Sequence, residues 1–326
     1  MSNRIFLSSM MIVMSLFVRA NACDFCNCLY GINPFYNDKN KIAFHYLSQH
    51  SSIAPSSVQN GTPAASFQQS GYGRNSVERI MHGTPSSTGP GLTERRQTIE
   101  FSFQQYVSER IFITALLPLT SIEITSNSSR TIMGNGDISI ISRYIITDML
   151  MDDEGFTLAA GAGIKLPAGD HSSKESDGTL LDLREQLGTG TTDGIATVLY
   201  ITNVGTFTVG LDLTAKINSQ DANGSRIGHS VSLNSYLSHD LYRVNSSLFA
   251  LLGITGLRIE FAEKDRIKGI IDPSSGVRSI YVNIGGQLVY DVVKFNASLL
   301  IPAAQHRPSE SADEGIRIYL GAQFEY

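Results

Sequence analysis

The sequence predicts an all-β protein: a transmembrane, antiparallel, up-and-down β-barrel of about twelve strands, with long outer loops and short periplasmic turns. Three observations predict it. The N-terminus reads as an export signal, and no later apolar run is long enough for a membrane helix. From residue 97 onward, apolar and polar residues alternate in stretches of about ten. The connections between these stretches are short and long in turn.

Composition fits this class. The 326 residues carry 17% charged side chains, below the roughly 25% usual for soluble domains. Mean hydropathy is -0.02. A net charge of -5 with no basic stripe argues against a nucleic-acid partner. Arg4, the apolar run from Ile5 to Val18, and Ala20-Asn21-Ala22 form a signal peptide over residues 1–22. Cleavage there leaves a Cys-containing periplasmic segment, 23–40, ahead of a barrel at 41–326. An exported chain that enters lipid without helices must close its backbone hydrogen bonds in a barrel.

The expected strands are 41–49, 97–106, 110–124, 136–148, 155–167, 188–202, 205–217, 227–240, 244–258, 279–291, 293–302 and 315–326. In the second, Ile99, Phe101 and Phe103 alternate with Glu100, Ser102 and Gln104. In the fourth, Ile138, Ile140 and Tyr144 stand opposite Asp137, Ser139 and Arg143. The seventh is unbroken: Phe207, Val209, Leu211, Leu213, Ala215 and Ile217 against Thr208, Gly210, Asp212, Thr214 and Lys216. The tenth sets Ile280, Val282, Ile284, Leu288 and Tyr290 against Tyr281, Asn283, Gln287 and Val289. The last sets Ile316, Ile318, Leu320, Ala322, Phe324 and Tyr326 against Arg317, Tyr319, Gly321, Gln323 and Glu325. Period two puts the two sets on opposite faces. The 188–202 and 244–258 segments are apolar on both faces in places, which leaves their facing open.

Tight connections at 107–109, 203–204 and 241–243 alternate with long ones at 50–96, 126–135, 168–187, 218–226, 259–278 and 303–315. Pro118, Pro167 and Pro302 are expected at the outer ends of upward strands, because proline cannot donate to a ladder. With no Trp in the chain, interfacial girdles fall to tyrosines such as Tyr46, Tyr144, Tyr200, Tyr290 and Tyr326. The terminal Phe324 and Tyr326 are expected to face lipid and to serve recognition by the barrel-assembly machinery. The expected localisation is the outer membrane.

Three fragments resemble a known family. They are Ala162-Gly163-Ile164-Lys165-Leu166-Pro167-Ala168-Gly169, Gly134-Asn135-Gly136-Asp137-Ile138, and the stretch from Arg110-Ile111-Phe112 to Leu117-Pro118-Leu119. Their order and spacing are similar to those of outer-membrane proteins grouped as the "MetA-pathway of phenol degradation" or transporter family, over residues 41–326. The resemblance implies a barrel that moves small, often hydrophobic molecules. Ala168 stands where that family often has Thr, and a Cys-rich opening is not general to it.

The expected lumen-lining residues are Glu100, Asp137, Arg143, Lys165, Asp212, Lys216, Asn283, Gln287, Lys294, Arg317, Gln323 and Glu325. Their mixed charges suit pairing that fixes the pore's shape, or a ladder that selects solutes. The 50–96 loop is long enough to fold inward and narrow the pore. Cys23, Cys26 and Cys28 form Cys-x-x-Cys-x-Cys and are the only cysteines. Such thiolates suit copper(I) or zinc, a local disulfide with one thiol over, or lipidation at Cys23. His171, near Asp170 and Glu175, is a weaker cation candidate. No nucleophile–base motif is present, and Gly188-Thr189-Gly190 lacks the following helix that a phosphate loop needs. The reading is therefore a passive channel without enzyme activity or cofactor, with a metal-handling protein and a closed structural or adhesive barrel as rivals.

Overall fold

The structure is a computed structural model, and it describes residues 40–53, 92–125, 129–148, 155–174, 178, 180–181, 183–244, 249–306 and 313–326. The signal peptide, Cys23, Cys26, Cys28, Glu175 and residues 54–91 lie outside these residues, and the two ends of the expected 50–96 loop, 50–53 and 92–96, are strand.

Twelve strands cross the barrel: β1 (Lys41–Ile53), β2 (Leu92–Ser108), β3 (Ile111–Thr125), β4 (Ile138–Asp148), β5 (Phe156–Leu166), β6 (Asp193–Val204), β7 (Phe207–Ile217), β8 (Ser230–Val244), β9 (Phe249–Ala262), β10 (Val277–Tyr290), β11 (Val293–His306) and β12 (Arg317–Glu325). Each pairs antiparallel with its neighbours, and β1 pairs with both β2 and β12, so the sheet closes. No described helix is long and apolar enough to cross a membrane.

The alternation sets the register. Along β7, Phe207, Leu211, Leu213 and Ile217 are exposed outward, whereas Asp212 and Thr214 are buried. A slip of one residue would turn Asp212 and Lys216 into lipid. A lysine alone costs about 2–4 kcal/mol at the midplane of such a barrel. The outward apolar band continues through Phe101, Phe103, Ile140, Ile164, Leu257, Ile259, Ile284, Ile318 and Phe324. Tyr144, Tyr242, Tyr290 and Tyr326, all exposed, stand toward the short-turn end of their strands. Aromatic residues thus mark that interface most strongly, and Tyr46 is not among them.

Several boundaries differ from the sequence expectation. Residues 129–135, expected in a loop, form a strand that continues β4 outward and pairs with β3 from Leu119 to Thr125. The extension therefore keeps the outer part of β3 paired on both sides. Pro118 is not at a strand end. It lies inside β3, opposite the break between the extension and β4, where the Gly136 N–H donates to the Pro118 carbonyl at 2.9 Å. Pro302 likewise lies inside β11, beside a register shift between Ile280 and Tyr281. Pro118 is tolerated because the partner strand is broken opposite it, and Pro302 because its own strand bulges at the adjoining Ala303. Pro167 alone sits just past its strand, β5.

The sixth strand starts at Asp193, not at 188, and the ninth runs to Ala262, not 258. Their ambiguous facing is settled by burial. Ile195, Thr197, Leu199 and Ile201 point inward from β6, and Ala250, Leu252, Arg258, Glu260 and Ala262 point inward from β9. The turn expected at 241–243 is strand, since β8 runs to Val244.

Candidate functional site

The interior of the barrel and the loop over its outer mouth bring the chemistry-bearing residues together. Two faces of the interior differ in kind.

On the β3–β6 face, apolar side chains point inward in three groups. Nearest the periplasmic turns are Phe112, Ile145, Ala159, Leu199 and Ile201. Further along are Leu116, Ile141 and Ile195. At the outer end Ile122, Ile124 and Leu187 come together, with Ile132 against them. Charged groups sit between and beside these groups. Arg143 Nη2 donates to Asp212 Oδ2 at 3.1 Å, reaching over two intervening strands, and its Nε donates to Thr197 Oγ1 at 2.9 Å. Gly161 makes this path possible: a Cβ there would stand 2.6 Å from the Arg143 Cγ. Lys165 lies 2.6 Å from both Asp137 and Asp193 and donates to Thr189.

The face formed by β9–β12 and β1 carries most of its charge in pairs, with Leu252, Leu300, Ala43 and Leu47 buried among them. Near the outer mouth Arg317 donates from Nη1 and Nη2 to the two oxygens of Glu260, at 2.9 Å each. The same guanidinium pairs with Glu314, reaches the Tyr281 hydroxyl at 2.9 Å, and lies 4.3 Å from the centre of the Tyr281 ring. Tyr281 donates to Glu314, while Arg258 pairs with Glu260 and donates to Asn234 at 2.9 Å. Such forked arginine–carboxylate pairs fix geometry as well as charge. Toward the periplasmic end Lys294 pairs with Glu325, and Gln323 donates to the same carboxylate at 2.9 Å. Gln287 donates to Asn296 at 2.5 Å. On the adjoining β1 and β2, His45 faces Glu100 at 3.6 Å and stacks on Tyr319.

Of the residues expected in the lumen, Glu100, Asp137, Arg143, Lys165, Asp212, Gln287, Lys294, Arg317, Gln323 and Glu325 are buried in the interior, and Lys216 and Asn283 are half-buried. Sequence reasoning missed Arg258, Glu260, Tyr281 and Glu314 as a unit with Arg317. The signal was the alternation Leu257-Arg258-Ile259-Glu260-Phe261, which runs past the expected strand end. It also missed the inward-facing apolar file, because a residue apolar on either face leaves no mark in the alternation.

The outer mouth is crossed by residues 183–187. Arg184 Nε donates to Asp265 Oδ2 at 2.6 Å, in the loop after β9, and Arg96 of β2 donates to the Arg184 carbonyl. Those two anchors are five strands apart by one path round the barrel and seven by the other, so the segment lies across the opening. Arg130 donates to Glu185 at 2.7 Å, and Leu187 seats beside Ile122 and Ile124 of β3. Gln186 ties the loop to itself through Ser173 and Leu181. At the base, the Leu187 and Gly188 amides donate to the Asp170 carbonyl. The Thr189 amide donates to Asp137 at 2.9 Å. Gly188 passes so close to Gly169 that a Cβ would meet its carbonyl oxygen at 2.6 Å. The Asp170 carboxyl is held below its usual range by the Ser172 amide and the Ser173 and Ser172 hydroxyls. No group of three potential metal ligands occurs among the described residues, and His171 is exposed.

This architecture defines an integral outer-membrane β-barrel, associated with membrane lipid through its apolar band. No family model and no curated protein matches the sequence. Among solved structures, the chain is similar to an outer membrane channel from Pseudomonas putida F1, at 14% identity over 91% of this chain and 98% of that one, with a TM-score of 0.59. It is also aligned with the β domain of the Bordetella autotransporter BrkA, at 10% identity over 89% and 100% of the two chains, with a TM-score of 0.44.

Proposed function

We propose that the protein is a passive outer-membrane channel for small molecules, and that apolar or amphipathic solutes suit it best. One observation carries this reading: the inward apolar file of β3–β6, running from Phe112 to Ile124 and continued by Leu187 of the loop, opposite a wall rich in charge pairs. A lumen meant only for ions and sugars gains nothing from lining one side with Phe, Leu and Ile, whereas a solute with an apolar body and a polar end finds a partner on each face. The resemblance of the 110–119, 134–138 and 162–169 fragments to the "MetA-pathway of phenol degradation" family supports the same substrate class.

The test is reconstitution of the full chain in planar bilayers and vesicles. Small aromatic solutes are expected to permeate faster than sugars of similar size, and Ile141→Asp to slow the aromatic solutes selectively. Neither current nor solute flux from correctly folded protein would instead favour a structural barrel, a rival supported by the burial of Arg143, Arg258 and Arg317. A copper- or zinc-handling role through Cys23, Cys26 and Cys28 rests on their spacing alone, and metal titration of the chain with and without these cysteines tests it. Phe324 and Tyr326, both exposed on the outward face, are proposed to be read by the assembly machinery. Removing 324–326 is then expected to abolish membrane insertion.

A further inference from the structure

We infer that the 183–187 segment is a gate: a crossbar fixed at its base and latched by two ion pairs that can release, one of them at its far side. The inference rests on the channel reading above.

The two attachments differ in burial and in chemistry. At the base, Lys165, Asp137 and Asp193 have side chains 4%, 2% and 0% exposed. Lys165 sits between both carboxylates, and Asp137 also accepts the Gly169 and Thr189 amides. Moving this part would strip a lysine and two carboxylates of partners inside the barrel wall, where a lone charge is very costly. Gly169 and Gly188 are backbone to backbone there, leaving no room for a sliding motion. The base therefore stays.

The latch is of another kind. Arg184 is 34% exposed, though its acceptor Asp265 is only 4% exposed, and Arg130 and Glu185 are 32% and 25% exposed. The arm therefore carries side chains that water reaches, and Arg184 and Glu185 exchange their partners for water at less cost than any group of the base. Arg184 is also the residue that spans the opening, since its side chain reaches the β9–β10 side while its carbonyl is held from β2. Its acceptor is presented rather than mobile: Asp265 Oδ1 accepts the Gly228 amide at 2.8 Å, and the Asp265 amide donates to the Ser275 hydroxyl at 2.7 Å. A rigid catch faces a releasable arm. Releasing the Arg184–Asp265 pair frees the arm from the β9–β10 rim, and releasing Arg130–Glu185 loosens it from the wall beside β3; the end of the lumen is then uncovered, while the base keeps the loop in place for reclosure.

The experiment is single-channel recording of the full-length protein with Cys23, Cys26 and Cys28 replaced by Ser. The latch variant Asp265→Asn with Glu185→Gln keeps the acceptor for Gly228 but loses both charges. It is expected to raise the open probability about tenfold over the parent, as the loss of two ion pairs would allow. In a second variant, Arg184→Cys with Asp265→Cys, joining the thiols with a cleavable bifunctional reagent is expected to abolish opening, and reduction to restore it. All forms are first checked for heat-modifiable gel mobility. Equal open probabilities in the parent, the latch variant and the cross-linked chain overturn the gate, and the parent's current then leaves the channel reading standing. Silence in every form, including a chain lacking 183–187, overturns the channel reading and the gate with it.

Discussion

The two faces of the barrel interior hold themselves together by different means. The β3–β6 face relies on apolar contacts, with Phe112, Ile145, Leu199 and Ile201 at one end and Leu116, Ile141 and Ile195 further along. The β9–β12 face relies on charge pairs, centred on Arg317, which is 0% exposed and shared among Glu260, Glu314 and Tyr281. Apolar contacts are many, weak and non-directional, so each loss is partial. Charge pairs are few and interdependent, so losing one partner strands the others. The comparison also shows why the shape of the lumen is set mainly from the polar side: forked hydrogen bonds constrain angles that methyl groups leave free.

The sharpest way to break this comparison is to remove Arg317. Arg317→Ala leaves Glu260 and Glu314 close together and buried, and is expected to cost about 3–5 kcal/mol in denaturant unfolding from lipid vesicles. Arg317→Met combined with Glu260→Gln and Glu314→Gln is expected to recover most of that loss, because the stranded charges are gone. If the single and triple variants unfold alike, the polar face is not held by interdependent charge.

A smaller loss is expected on the apolar face. Leu199→Ala removes one packed side chain from a group of five and is expected to cost about 2–4 kcal/mol in the same assay. Pairing it with Ile141→Val, in the neighbouring group, should give nearly additive losses if these contacts are independent. Strong coupling would place the apolar face in the same class as the polar one.

Labelling sharpens the assignment of faces without a large change in stability. With the native cysteines replaced, a cysteine at 216 is expected to react with small water-soluble thiol reagents. A cysteine at 211 or 213 is expected to react only with probes dissolved in lipid, since Leu211 and Leu213 are exposed outward. Position 212 should label more slowly than 216, because Asp212 lies buried against Arg143. Equal labelling at 211 and 212 would refute the facing of β7.

The smallest effect expected is in acid. The Asp170 carboxyl is stabilised in its charged form by hydrogen bonds from Ser172 and Ser173, so its folded value lies below its unfolded one. Its contribution is present above the ordinary carboxylate range and is lost as pH falls through the lowered value. Hydrogen exchange at the Ser172 amide is therefore expected to lose protection there, after correction for the pH dependence of intrinsic exchange, while the barrel amides keep theirs. Unchanged protection into strong acid would separate the loop's order from Asp170.

Alternation made the outward face of β7, β10 and β12 legible in the sequence, because lipid demands an apolar residue at every second position and water or polar partners occupy the others. The same rule located most of the buried charges, including Arg143, Lys165, Asp212 and Arg317. It was silent where both faces are apolar, as along Ile195, Val198 and Leu199, and burial alone assigned those. It also misplaced Pro118 and Pro302, since a proline is compatible with a strand end, a break in the neighbouring strand or a bulge in its own, and only the pairing decides among them.

What the sequence by itself determined is the class of the molecule: strands of alternating polarity, ordered up and down, with an apolar belt and an interior of mixed charge. Those properties are local, written in the spacing of residues along one strand and in the length of each connection. What only the tertiary structure decided is which charges meet and what covers the mouth. Arg317 finds Glu260 from three strands away, Arg143 finds Asp212 over two others, and Arg184 crosses the opening to Asp265. Those pairings depend on how the closed wall curves and on where a loop falls back, quantities set by all twelve strands together and carried by no single stretch of the chain.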